Sequence, residues 1–137
     1  MEVQINDVDL LTITPAVTID YDAENDWICV TWTGNHSKES ALVFTKEIEA
    51  ALRKENCRKI LNINENFYLS WQEAPVWAIK NWFPRLFILG CTSFAWVLSP
   101  RFSSGPVFTE VFKTQTPFLQ AMVFTDEETA SAWLNEN

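Results

Sequence analysis

Two hydrophobic periods succeed each other along this chain. Val17, Ile19 and Tyr21 alternate with Thr18 and Asp20, the period of two that marks a half-buried strand. Asp22-Ala23-Glu24-Asn25-Asp26 has turn chemistry, and Trp27 to Trp32 is a second strand rich in β-branched and aromatic residues, so the pair predicts a hairpin. Gly34-Asn35-His36-Ser37 reads as the end of that strand. Ser37 is a suitable cap for a helix over about 38–55, where Ala41, Phe44, Ile48, Ala51 and Leu52 recur at helical spacing among charged residues. Arg58 to Ile63 reads as a short buried strand, followed by a loop from Asn64 to Leu69. Ser70-Trp71-Gln72-Glu73 matches a capping box for a second helix that runs to about Leu89, kinked by Pro84 and stopped by Gly90.

Thr92 to Leu98 is nearly continuous in apolar residues, as expected of a parallel strand covered on both faces. Gly105-Pro106 opens a third helix and Pro117 closes it. Phe118 to Phe124 is a last strand, and Thr125-Asp126-Glu127-Glu128 caps a final helix carrying Ala130, Trp133 and Leu134. Residues 1–14 form an acidic arm, with a short strand expected at Leu10 to Ile13. The order ββαβαβαβα predicts an α/β domain over 15–137: one mixed, mostly parallel sheet with an N-terminal hairpin and helices packed on it.

Composition adds one feature to this picture. Seven Trp and ten Phe in 137 residues are more large aromatic side chains than the core of such a domain readily absorbs, which predicts a binding surface. The net charge of −8, with no basic run, argues against nucleic-acid binding. Cys29, Cys57 and Cys91 are widely spaced and odd in number, which fits a reducing compartment better than a disulfide framework or a zinc site. No signal peptide and no bilayer-spanning apolar run is visible, so the expected location is the cytoplasm, without membrane insertion.

Several segments resemble the STAS superfamily, in its SpoIIAA-like (STAS/SEC14-like) branch. They are the strand Lys59-Ile60-Leu61-Asn62-Ile63-Asn64, the helix from Trp77 to Arg85 ending at Gly90, the strand Phe94-Ala95-Trp96-Val97-Leu98-Ser99, and the end Val123 to Glu128 with Ala132-Trp133-Leu134. The resemblance covers about residues 15–135. It implies a STAS-like fold and a non-catalytic regulatory or protein-interaction module. The SEC14-like description implies, as the alternative, a domain that binds an apolar ligand or lipid. In the family's anti-sigma-factor antagonists a phosphorylatable Ser lies in Asp-Ser-Ser-Gly. The matching window here, Asn66 to Glu73, lacks that motif, and Ser70 is its only hydroxyl of that kind.

The candidate sites follow. Trp71, Trp77 and Trp82 widen the apolar side of the second helix beyond what one sheet face covers, with Trp77 and Ile88 outside the main stripe, and predict an interface for a protein partner or a second copy of the chain. Ligands of open α/β sheets sit beyond the carboxyl ends of the strands, a rim that gathers His36, Asn64 and Arg101 with Glu65, Ser70, Ser99, Thr125 and Asp126. A Ser99–His36–Asp126 triad can be written down, but neither a nucleophile elbow nor a Gly-rich oxyanion loop accompanies it. With three Gly, at 34, 90 and 105, there is no phosphate loop, and no metal or cofactor is expected.

Overall fold

The structure is a computed structural model and describes residues 12–98 and 118–137. Strand β1 (Ala16–Asp22) and β2 (Trp27–His36) form the predicted hairpin. Its turn is held by Asp22, whose carboxylate accepts from the Asn25 backbone N–H at 3.1 Å and from Asn25 Nδ2 at 2.8 Å. Helix α1 (Lys38–Glu55) follows, then β3 (Lys59–Leu69). A helical segment comes next, in three pieces: α2 (Ala74–Trp77), a π turn (Ala78–Trp82) and α3 (Phe83–Ile88). Strands β4 (Ser93–Leu98) and β5 (Gln120–Phe124) precede the last helix, α4 (Glu127–Glu136). The five strands lie side by side in sequence order, β1 antiparallel to β2 and the rest parallel.

Because each parallel strand is added on the same side of its predecessor, crossovers of one hand deliver their helices to one face. Ile48 and Leu52 of α1, with Trp82, Phe83 and Leu86 beyond β3, pack on Ile28, Val30, Ile60 and Phe94. The opposite face is covered by α4, whose Ala130 and Leu134 meet Trp27, Leu61, Ile63, Ala95 and Val97. The alternation of odd and even positions in β2, β3 and β4 between these clusters is the pleat at work.

Helix α1 has the predicted bounds. The side chains of Ser37 and Ser40 each accept from the other's backbone N–H, at 3.2 and 3.0 Å, and Asn56 ends the helix in the left-handed conformation. Helix α4 is capped by Asp126 rather than Thr125: the Asp126 carboxylate accepts from the Thr129 N–H at 2.7 Å.

Four expectations need correction. The strand β2 does not stop at Gly34, and residues 64–69 are not a loop. After a bulge between Thr31 and Thr33, Gly34, Asn35 and His36 pair with Phe67, Tyr68 and Leu69, so each extension supplies the hydrogen-bond partners of the other. Gly34 sits at φ +87° with the Thr14 carbonyl against it, and a Cβ there would lie 2.4 Å from that oxygen. Ser70 does not cap the second helical segment, which begins behind Glu73 with no side-chain cap.

Finally, that segment is not a simple kinked helix. Pro84 has no N–H and its ring would crowd the carbonyl of Lys80 in a regular helix. The chain answers with a π turn, in which the Phe83 N–H bonds Ala78 O, five residues back. Of the strand expected at Leu10 to Ile13, Leu10 and Leu11 lie outside the described residues, and Thr12 and Ile13 are not strand: the Ile13 carbonyl accepts from the Asn35 N–H at 3.0 Å without extending the sheet. The third helix, from Gly105 to Pro117, lies outside them altogether.

Candidate functional site: an indole-lined cavity

Between the carboxyl halves of β2, β3 and β4 and the helices above them lies a cavity of about 400 Å³. Trp32, Asn62, Asn64, Phe67 and Trp96 form its floor, rising from the sheet. Trp71, Trp77 and Trp82 contribute its other aromatic walls. The hollow follows from side-chain size. Where the helical layer faces the indoles it presents Ala41, Ala74 and Ala78, which do not fill the space between bulky rings.

The π turn brings the indoles together. In an α-helix residues five apart point roughly 140° away from each other, which would send Trp77 and Trp82 to different sides. The wider turn between them brings both to the cavity. Trp71 and Trp77 pack ring to ring at 5.3 Å, and the Lys38 ammonium lies 5.5 Å from the Trp71 ring centroid. None of the seven Trp is fully solvent-exposed: Trp27, Trp32 and Trp82 are buried, the other four half-buried. Trp82 in particular, expected on an outward interface, is 3% exposed and packs edge-on to Phe94 at 5.5 Å.

The cavity floor carries a polar ladder. Asn62 and Asn64, 1% and 2% exposed, project from the same face of β3. Trp32 Nε1 donates to Asn62 Oδ1 at 2.8 Å, Asn62 Nδ2 donates to Asn64 Oδ1 at 2.8 Å, and Trp96 Nε1 donates to the same Asn64 oxygen. Two buried amides thus satisfy two indoles. On the opposite wall Trp82 Nε1 is buried without a hydrogen-bond partner among the described residues. Asn64 was legible as a rim candidate. No motif marks Trp32, Asn62 or Trp96 as site residues, although the period of two in Ile60-Leu61-Asn62-Ile63-Asn64 puts both amides on one sheet face, an unusual cost to build into a core strand.

The other polar candidates do not converge on the cavity. His36 is 1% exposed. Its Nε2 faces the carbonyls of Thr33 at 2.9 Å and Ala16 at 3.3 Å, so that nitrogen carries the proton, and Nδ1 accepts from the Ser40 hydroxyl at 3.0 Å. The ring sits among Trp32, Phe44 and Phe67, and burial pushes its pKa below the ordinary histidine value. His36 therefore ties together β1, the end of β2 and the start of α1. Both Asp126 oxygens are taken by Thr129. Ser70 is exposed, its N–H donating to the His36 carbonyl at 3.1 Å. Arg101 and Ser99 lie outside the described residues. Among the described residues no three His, Cys, Asp or Glu side chains gather to hold a metal, and no helix is long and apolar enough to cross a membrane.

No protein-family model and no curated protein matches the sequence. Solved structures do match the fold. The structure of the Bacillus cell fate determinant SpoIIAA in its phosphorylated form superposes with a TM-score of 0.53 at 14% identity, covering 86% of this chain and 99% of that one. An uncharacterised protein of the DUF3478 family with a SpoIIAA-like fold, from Shewanella loihica PV-4, superposes with a TM-score of 0.56 at 16% identity, covering 88% of this chain and 93% of that one. At these identities the likeness speaks for architecture, and together with the sheet order and the helix placement it gives this chain a SpoIIAA-like fold.

Proposed function

We propose that this chain is a non-catalytic, cytoplasmic STAS-like module that takes an apolar small molecule into the indole-lined cavity. The observation that carries the reading is the cavity itself: about 400 Å³, walled by five Trp side chains and two buried amides. That volume lies within the range of ligand pockets, roughly 300–1,000 Å³, and an apolar lining with few fixed polar groups is their usual chemistry. Water gains little in such a space, so an apolar guest that displaces it binds favourably. The Ala residues that keep the space open give the test. One-to-one binding of 2-ethylnaphthalene, followed through the indole N–H signals by two-dimensional nuclear magnetic resonance, is expected for the native protein. The signals of Trp32, Trp82 and Trp96 should move together. Ala78→Leu, which puts a larger side chain into the cavity, should abolish the response while preserving the dispersion of the spectrum. A native protein that never responds, or a filled variant that responds equally, overturns the proposal.

A second reading is supported by a different surface. Val76, Phe87 and Ile88 of the helical segment are exposed, Ile88 to 82%, and suit a protein partner or a second copy of the chain. In that reading the module regulates by contact.

A further inference from the structure

Among the described residues, β1 pairs with β2 alone and so forms an edge of the sheet. From Ala16 to Asp22 it has no Pro, no Lys and no bulge, the devices that blunt an exposed edge. Val17 and Ile19 point to the face covered by α1, where they pack on the cluster of Ile28, Val30, Ile48 and Leu52. Thr18 and Asp20 alternate onto the opposite face and are exposed. Helix α1 continues this side of the molecule upward. Its Ala41 and Thr45 line the cavity and its Glu49 reaches Arg85. Helical geometry then puts Val43, Glu47, Ala51 and Lys54 on the other flank, above β1. Val43 is 56% exposed, and Tyr21, near the end of β1, is 38% exposed.

We propose that β1 pairs antiparallel with β1 of a second copy, about a two-fold axis at Ile19, joining two five-stranded sheets into one. The strand is self-complementary in this register. Ile19 meets its own copy, and Val17 faces Tyr21 of the second copy, a β-branched residue against an aromatic one. Thr18 faces Asp20 and Ala16 faces Asp22, so no two acids lie directly opposite. Asp20 meets its own copy only on the diagonal, about 7–8 Å away and in water. Distances in the helical layer agree. Paired strands lie about 4.8 Å apart. Helix α1 packs over both β1 and β2, which sets its axis roughly 2.4 Å inside β1, and the two-fold axis lies as far outside. The two α1 helices then run about 10 Å apart, the upper end of the usual packing range of roughly 8–10 Å. They run antiparallel, so Val43 and Glu47 of one copy face Ala51 and Lys54 of the other. The small Ala51 permits the approach, and acid meets base.

Sedimentation equilibrium of the full chain is expected to show a dimer that dissociates on dilution. In hydrogen exchange the amides of residues 17–21 should gain protection as the concentration rises. Thr18→Asp sets an acid against Asp20 at two symmetric places and should weaken the dimer roughly two- to thirtyfold, whereas Thr18→Lys sets a cation there and should tighten it by a similar factor. Thr18 is exposed, so both variants should keep the native circular dichroism spectrum. Should either fail to fold, hydrogen exchange of the native protein decides. A monomer at high concentration, exchange at 17–21 that ignores concentration, or Thr18 variants that shift the dimer in the same direction overturn the proposal. So does a dimer indifferent to position 18, as one built on Val76 and Ile88 would be. The surface lies across α1 from the cavity, so each of these results leaves guest binding untouched.

Discussion

The ladder Trp32–Asn62–Asn64–Trp96 offers the sharpest test of how the cavity floor is held. Asn62→Leu keeps the branched shape of the side chain and removes both of the amide's functions. Trp32 Nε1, on a ring 5% exposed, then loses its acceptor at 2.8 Å. Asn64 Oδ1 loses one donor but keeps Trp96. A buried donor left without a partner costs about 1–3 kcal/mol. The leucine recovers part of this by removing a polar group from an apolar face, which leaves an expected net loss of about 1–2 kcal/mol, against a total stability of roughly 5–15 kcal/mol for a domain. With a urea slope of about 2 kcal/mol per M, the midpoint falls by roughly 0.5–1 M. Far-ultraviolet circular dichroism is the suitable probe, since Trp fluorescence is itself altered. Trp32→Phe in the same chain removes the orphan, so the double variant should be less destabilised than the sum of the singles by about 1 kcal/mol or more. An Asn62→Leu protein as stable as the native one, or singles that add to the double within about 0.3 kcal/mol, would refute the reasoning.

Two further outcomes follow from the fold. Gly34→Ala forces a side chain into φ +87° and sets its Cβ 2.4 Å from the Thr14 carbonyl oxygen, so a loss of at least ~2 kcal/mol is expected in thermal unfolding, and an unchanged melting temperature would exclude the close approach. The folded-state pKa of His36 lies below the unfolded value of about 6.5 because burial disfavours its charged form. Between those two values the unfolded chain binds the extra proton, so His36 contributes stability that is complete above about pH 6.5 and is lost as pH falls towards the folded pKa. Urea midpoints at pH 7 and pH 5.5 should differ in the native protein by more than in His36→Gln, and equal differences would remove His36 from the account.

Much of this architecture was readable from local patterns, for a physical reason: local signals decide local elements. The Ser37 cap and the helical spacing of Ala41, Ile48 and Leu52 placed α1 at about 38–55, where it lies, and alternation in 17–21 with turn chemistry in 22–26 determined the hairpin. The segments around Asn62, Trp96 and Trp133 carried the STAS resemblance that the superpositions bear out as a fold. What local pattern could not decide was anything whose partner lies far along the chain. Residues 34–36 and 67–69 are strand only because they pair with each other across 33 residues of sequence. Pro84 announced a disturbed helix, but whether it would kink or widen depended on the packing of Trp77, Trp82 and Phe83 against the sheet. The abundance of aromatic side chains pointed to binding from composition alone. Their convergence on a hollow, with two amides orienting two indoles and a third indole left unpaired, arises only when three strands and a π turn meet in space.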